Sequence, residues 1–236
     1  MDINDYKMIA HRGLHGKDIP ENSCLAFSKA KENKYAIELD VRLTSNKKIV
    51  VFHDDNLFRM TGENKEVKKC TLEEIKKLRL GESNEKIPTL VEVLDLVNGE
   101  VPLLIEIKND SIDLCLENLL IKELEKYNGK YLIESFNPLS VLYVKKKCKN
   151  TDVGLLITGN DDFFEKVYKR ILFSIINPEF VSYDIRNLDE EKYRYFHEKN
   201  MYVIAWTIRE KNEKEKATTC SDGIIFEDIF SKKQKF

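Results

Sequence analysis

Three acidic residues lie inside runs that are otherwise typical of buried strands. Glu38 and Asp40 interrupt the apolar run 36–43, and Glu106 interrupts the run 102–108. Side chains two residues apart in a strand point to the same face, so Glu38 and Asp40 should lie side by side. Carboxylates buried together repel each other unless a cation compensates their charge. The pattern predicts an all-oxygen site in which Glu38, Asp40 and Glu106 hold a divalent cation, Mg²⁺ or Ca²⁺.

Two structural explanations of the same residues stay open. Glu38 and Asp40 could form ion pairs with an arginine or lysine inside the protein, and Glu106 could pair only with Lys108, which shares its strand face. A zinc site is not indicated, because the five cysteines are widely spaced, form no Cys-x-x-Cys pair and are not clustered with histidines. We expect reduced, mostly packed thiols.

Two histidines and an arginine end predicted strands. His11-Arg12-Gly13 stands where the first strand ends, and His53 ends the run 49–53. Imidazole titrates near neutral pH, so one histidine can accept a proton from an attacking hydroxyl while the other protonates a leaving alkoxide. The Arg12 guanidinium matches phosphate oxygens in bidentate geometry. The set predicts acid–base chemistry beside a metal, with an arginine able to bind phosphate.

The remaining histidines and the single tryptophan carry weaker indications. His197 lies in a charged helix pattern and is predicted at the surface, whereas His15 lies in a loop near His11 and could line the same opening. Trp206 ends a predicted strand, where it could either cap the core or face a small organic group.

Short apolar runs alternate with longer charged segments of helical period, the pattern of repeated βα units around a parallel sheet. The loop 44–48 between the second and third runs is too short for a parallel crossover, so these runs should form an antiparallel hairpin. The other eight runs suffice to close a TIM (β/α)8 barrel with one appended hairpin strand. The predicted strands are 8–11, 36–43, 49–53, 102–108, 131–136, 153–157, 180–184, 202–207 and 223–227.

The stretch 54–100 is longer than one crossover requires. It contains two capping-box patterns, Thr71-Leu-Glu-Glu and Thr89-Leu-Val-Glu, and we expect a small insertion there, near the mouth of the barrel. A chain of 236 residues fits a single barrel domain, 1–236. The predicted helices are 21–33, 112–127, 138–147, 162–172, 189–199 and 210–218.

Composition excludes several classes of partner. The 39 Lys and Arg oppose 41 Asp and Glu, and a net charge of −2 gives no general attraction to nucleic acid or to an anionic membrane. No uninterrupted apolar stretch is long enough to be an integral membrane segment, and without a signal sequence the cytoplasm is the expected location. The sequence does not indicate an oligomeric state.

Short motifs in order along the chain resemble those of the glycerophosphodiester phosphodiesterase family. Each motif is common by itself, but the ordered and spaced set is specific and covers nearly the whole chain. The motifs are His11-Arg12-Gly13, Pro20-Glu21-Asn22-Ser23, Glu38-Leu39-Asp40-Val41, His53-Asp54, Leu57 with Arg59, Ile87-Pro88-Thr89-Leu90 and Glu106-Ile107-Lys108, with weaker matches at Ser135-Phe136, Ala205-Trp206-Thr207 and Asp222-Gly223-Ile224-Ile225.

The resemblance implies a TIM barrel that hydrolyses small glycerophosphodiesters to glycerol 3-phosphate and an alcohol, using a divalent cation. Carried onto this chain, it implies that the metal ligands are Glu38, Asp40 and Glu106. It also implies that His11 and His53 are the acid–base pair.

Four further residues receive expected roles. The resemblance implies that Arg12 contacts phosphate, that Lys108 neutralises phosphate charge, and that Glu21 supports the metal shell or its water. We expect Trp206 to contact the substrate.

The sequence departs from the family pattern at the last strand. Phe226-Glu227 stands where Thr-Asp followed by proline is more usual, and this leaves the range of substrates open. The alternatives are a lysophospholipase D or a cyclising phospholipase that acts on a related phosphodiester, and a non-catalytic barrel that binds a phosphate ligand.

Overall fold

Eight parallel strands form a closed ring. The computed structural model describes residues 1–109, 111–159 and 173–227. In this part of the chain the strands follow the order β1-β9-β8-β7-β6-β5-β4-β2, β1 pairs with β2 to close the ring, and β3 is bonded outside it. The predicted TIM barrel with an appended hairpin strand is confirmed. The strands are β1 (Met8–Ala10), β2 (Ala36–Leu43), β3 (Ile49–Val51), β4 (Leu103–Ile107), β5 (Tyr131–Ser135), β6 (Val153–Ile157), β7 (Phe180–Asp184), β8 (Tyr202–Ile208) and β9 (Gly223–Phe226).

The appended strand β3 runs antiparallel to β2, with Val41 opposite Val51. β3 ends at Val51, so the prediction that His53 is the last residue of this strand is wrong by two residues. The backbone N–H of Phe52 nevertheless donates to the carbonyl of Asp40 at 2.9 Å. The chain after β3 therefore still follows β2, and it delivers His53 beside the buried carboxylates.

Helices connect the strands on the outside of the ring. Local capping marks the start of several of them. Ser23 Oγ accepts the N–H of Ala26 at 3.1 Å, so the first helix begins at Cys24 rather than at residue 21 as predicted. The predicted helix 162–172 lies outside the described residues. None of the described helices is long and apolar enough to cross a membrane. The α-helices that lie wholly within the described residues are α1 (Cys24–Glu32), α2 (Phe58–Thr61), α3 (Leu72–Ile75), α4 (Leu90–Val97), α5 (Cys115–Leu124), α6 (Pro138–Lys147), α7 (Glu190–His197) and α8 (Lys211–Cys220).

The predicted insertion 54–100 has two parts. Its second half is α4, which packs against α1 and contributes to the main core between ring and helices as an ordinary crossover helix. Its first half, with α2 and α3, has a small apolar cluster of its own. That cluster is formed by Val50, Phe52, Leu57, Val67, Cys70, Ile75, Leu80 and Ile87.

The lower interior of the barrel is filled by apolar side chains. Gly154 on β6 makes room for Phe180, because a Cβ at this position would lie 2.2 Å from the Phe180 ring. The packed interior is a core and not a channel. Its residues are Tyr6, Ile9, Ala36, Leu104, Leu132, Phe180, Ile204 and Ile225.

Candidate active site

The three predicted metal ligands meet where the middle of β2 lies beside the carboxyl end of β4. These strands are parallel neighbours, with Asp40 directly opposite Glu106, and Glu38 shares the inward face of Asp40. All three side chains are buried, and each offers a carboxylate oxygen within 4.8 Å of the others. Strand alternation and register together therefore assemble the predicted cluster of Glu38, Asp40 and Glu106.

The electrostatics of this cluster indicate that a cation fits it. Burial, reinforced by the charges of Asp40 and Glu106, raises the pKa of Glu38 well above its ordinary value. Burial also raises the pKa of Glu106 to about 7, although Lys108 opposes the shift. Within the described chain, Glu38 Oε1 accepts no hydrogen bond. Three buried carboxylates with an unpaired oxygen form a donor set that could bind a divalent metal ion.

Two cations already lie beside the carboxylates. Lys108 Nζ is 2.5 Å from Glu106 Oε1 and 3.2 Å from Asp40 Oδ1. Arg12 Nε is 3.3 Å from Asp40 Oδ2. Burial alone would raise the pKa of Asp40, but Lys108 and Arg12 hold it below its ordinary value. The ion pairs considered as structural alternatives are therefore present, and they coexist with the three-carboxylate cluster.

Arg12 is held in a specific position by its backbone and by its side chain. Its φ of 53° lies in the left-handed region, which is uncommon for a residue other than glycine. In this conformation its backbone N–H donates to Glu38 Oε2 at 2.8 Å, and its Nη1 donates to Glu21 Oε1 at 2.7 Å. Gly13 must follow, because a Cβ there would lie 2.8 Å from Ala26. Glu21 therefore orients the Arg12 side chain in this structure.

The two predicted catalytic histidines line the same pocket as Glu38 and Glu106. His11 Nε2 is 3.9 Å from Glu38 Oε2, and its Nδ1 is hydrogen-bonded to Glu227. His53 Nδ1 is 2.6 Å from Asp54 Oδ1. Burial lowers the pKa of both imidazoles below the ordinary value, although Glu227 and Asp40 oppose the shift. Each ring is therefore mainly neutral near pH 7 and could accept a proton.

Trp206 forms part of the pocket wall. Its indole N–H donates to the carbonyl of Ser182 at 2.8 Å, and its ring meets the ring of Phe136 edge to face at 5.7 Å between centroids. The ring is also packed against the apolar interior of the barrel. Trp206 thus caps the core and lines the pocket, and its contact with an organic group stays a prediction. Phe136 extends the aromatic wall.

Glu134 is a pocket residue that sequence reasoning missed. It lies on β5 opposite Glu106, is 1% exposed and accepts a hydrogen bond from Ser182 Oγ. Burial and the charge of Glu106 raise its pKa to about 8. An acidic residue inside an apolar strand was the feature that pointed to Glu106, and the same feature could have pointed to Glu134.

The other two histidines lie outside this pocket. His197 is exposed and pairs with Asp222 at 2.9 Å, which confirms its predicted surface position. His15 has a ring nitrogen within 4.8 Å of ligand atoms of His11 and Glu227, but it lines a neighbouring cavity with Glu21.

Comparison with known proteins identifies the family. Residues 11–229 match the model of the Glycerophosphoryl diester phosphodiesterase family. A glycerophosphodiester phosphodiesterase of Caldanaerobacter subterraneus subsp. tengcongensis is 35% identical over 234 residues, covering 94% of this chain and 93% of the relative. The chain belongs to this family. It is therefore an enzyme of the phosphodiesterase class.

Solved structures of this family have the same fold. A phosphodiesterase of Oleispira antarctica, in complex with the product sn-glycerol-3-phosphate, superposes with a TM-score of 0.83 at 22% identity, over 94% of this chain and 92% of that one. A glycerophosphodiester phosphodiesterase of Thermotoga maritima superposes with a TM-score of 0.77 at 27% identity, over 94% of both chains. The barrel is thus the family fold along nearly its full length.

Proposed function

We propose that this chain hydrolyses glycerophosphodiesters to glycerol 3-phosphate and an alcohol, with Mg²⁺ or Ca²⁺ held by Glu38, Asp40 and Glu106. The observation that carries the proposal is one pocket lined by His11, His53, Glu38 and Glu106, in which the two glutamates belong to the buried three-carboxylate cluster. The name of the Caldanaerobacter relative and the product bound to the Oleispira enzyme support this choice of substrate.

The charged residues of the pocket complement a phosphodiester. A bound divalent cation would offset the cluster's negative charge and polarise a phosphoryl oxygen. With that charge offset, Arg12 and Lys108 supply positive charge for the phosphate oxygens. Glu21 keeps the Arg12 guanidinium oriented through its 2.7 Å hydrogen bond. Trp206 provides an apolar wall for the organic part of the substrate.

His11 and His53 are suited to the two proton transfers of the reaction. One imidazole accepts the proton of the attacking hydroxyl, which belongs either to water or to the adjacent carbon of the glycerol, as the hydroxyl oxygen bonds to phosphorus. If the glycerol hydroxyl attacks, a water then opens the cyclic phosphate to give glycerol 3-phosphate. The bond from phosphorus to the alcohol oxygen breaks, and the second histidine, which enters the step protonated, gives its proton to that oxygen. Each ring is oriented through Nδ1, which leaves Nε2 for the transfer.

The test is release of glycerol 3-phosphate from glycerophosphocholine with Mg²⁺, with Ca²⁺ and with chelator. We expect turnover with at least one of the metals and none with chelator. Lysophosphatidylcholine serves as a competing substrate, and ³¹P NMR detects any cyclic phosphate. Turnover of the lysolipid alone, or a cyclic phosphate as the final product, would contradict the proposal.

The cytoplasmic location remains a prediction from sequence.

A further inference from the structure

His11 and Glu227 are distant in the chain and adjacent in the barrel. The parallel strands β1 and β9 are neighbours, with Ala10 opposite Phe226, so the residues that follow them stand side by side at the mouth. His11 Nδ1 is hydrogen-bonded to Glu227 Oε1 across a separation of 216 residues. The contact depends on the pairing of the first strand of the barrel with the last.

Arg209 holds the carboxylate of Glu227 in place. Its Nε donates to Glu227 Oε2 at 2.7 Å, and its Nη2 donates to Glu227 Oε1 at 3.1 Å. The backbone N–H of Glu227 donates to the carbonyl of Ile208 at 2.9 Å. Burial alone would raise the pKa of Glu227, but the hydrogen bonds from His11 and Arg209 lower it below its ordinary value. Glu227 is therefore an anion near neutral pH, and an ionised carboxylate only accepts hydrogen bonds.

We propose that Glu227 is a positioning residue that fixes His11 as the Nδ1–H tautomer and turns Nε2 toward the three-carboxylate cluster. The inference rests on the proposed role of His11 in proton transfer. Nε2 lies on the cluster side, 3.9 Å from Glu38 Oε2. Glu227 acts through the ring and not on the reacting atoms. It also stabilises the positive charge that His11 acquires when it is protonated.

The same arrangement recurs at the second histidine. His53 Nδ1 lies 2.6 Å from Asp54 Oδ1, and Arg59 Nε donates to Asp54 Oδ2 at 2.5 Å. Each histidine thus has its own carboxylate, and each carboxylate has its own arginine. Asp54 follows His53 in the chain, whereas the partner of His11 is brought in by the fold.

The test is the protonation of the His11 ring in the full-length protein. Imidazole ¹⁵N shifts are recorded for the wild type and for Glu227→Gln, with the His11 resonances assigned by their loss in His11→Ala. Glu198→Gln is the matched control, because it makes the same change at an exposed position before β8, at the opposite end of the barrel. We expect a protonated Nδ1 and an unprotonated Nε2 in the wild type and the control. Glu227→Gln should lose that preference.

Kinetics give the second readout. For glycerophosphocholine with saturating Mg²⁺, kcat of Glu227→Gln should fall about 10- to 100-fold. KM, Mg²⁺ affinity and melting midpoint should stay close to those of the wild type, whereas a merely structural role would change them. If Glu227→Gln does not fold, Arg209→Gln decides: a lower kcat at unchanged KM supports the proposal.

Two results would overturn the positioning role. One is a wild-type His11 that carries its proton on Nε2, and the other is an unchanged tautomer and kcat in Glu227→Gln or, failing that, in Arg209→Gln. An inactive wild type would refute the proposed function instead, and the ¹⁵N shifts would still decide whether Glu227 orients the ring.

Discussion

The floor and the mouth of the barrel use the same strand faces for opposite purposes. The floor is apolar, formed by Ile9, Ala36, Leu104, Leu132, Phe180, Ile204 and Ile225. Two residues further along each of these seven strands, about 6.6 Å away, the inward side chains are polar, ionisable or aromatic. These are His11, Glu38, Glu106, Glu134, Ser182, Trp206 and Glu227. A single step in strand alternation therefore separates the layer that supports folding from the layer that supports chemistry.

The difference between the layers lies in the free energy of burial. Removing an apolar side chain of the floor from water contributes about 1.5–3 kcal/mol. The mouth instead buries carboxylates against one another, and the raised pKa values of Glu38, Glu106 and Glu134 show that their charged forms are disfavoured there. Substitutions in the floor should consequently lower stability more than activity, and substitutions in the mouth should lower activity more than stability.

The largest effect is expected at a histidine of the mouth. His53→Ala should lower kcat by about 10²- to 10⁴-fold, the usual contribution of a general acid or base, and should barely change the melting midpoint because the side chain is 32% exposed. The exposed His197→Ala serves as control. Glycerol 3-phosphate release near the wild-type rate in His53→Ala would remove this residue from the mechanism.

The floor should show the reverse behaviour. Phe180→Ala removes the ring that lies over Gly154, and it should lower the free energy of unfolding by about 3–5 kcal/mol. The kcat of the remaining folded protein should stay near that of the wild type. Urea denaturation and activity below the transition measure the two quantities. A large fall in kcat with little loss of stability would erase the distinction between the layers.

A smaller effect is expected from a neighbour of the proposed metal ligands. Asn22 Nδ2 donates to Asp40 Oδ2 at 2.8 Å and so orients this carboxylate. Asn22→Ala should weaken Mg²⁺ binding about 10- to 100-fold, as the loss of a partner of a metal ligand typically does. Calorimetric titration measures the affinity, with the exposed Asn128→Ala as control. Equal affinities for the two variants would show that Asn22 does not tune the site.

The smallest effect is a gain in stability at the mouth. In chelator near neutral pH, Glu38→Gln should raise the free energy of unfolding by about 1 kcal/mol, because burial and the charges of Asp40 and Glu106 disfavour the ionised form of Glu38, whereas a glutamine is neutral without binding a proton. The amide oxygen can still accept the hydrogen bond from the Arg12 N–H. Metal-dependent turnover should be lost at the same time. A Glu38→Gln protein less stable than the wild type would mean that repulsion in the cluster is already balanced by Arg12 and Lys108.

Most of the architecture and the candidate site could be predicted, because both depend on local periodicity. The strands appear as apolar runs, and the ionisable residues inside them stand out at once, which led to Glu38, Asp40 and Glu106. The end of β3 was missed because Phe52 continues its apolar run and still bonds to β2, although the strand itself ends at Val51. The first part of 54–100 was correctly separated from a simple crossover, but the role of α4 as an outer helix was not seen.

The sequence by itself determined which residues face inward, since the alternation of a strand is a property of its own backbone. It could not determine which inward residues touch. Glu227 reaches His11, and Ser182 reaches Glu134, only because strands far apart in the chain are neighbours at a fixed register. Those contacts contribute to the pKa values of Glu134 and Glu227 and fix the orientation of the His11 ring. These contacts were decided by closure of the barrel, which depends on all eight strands at once.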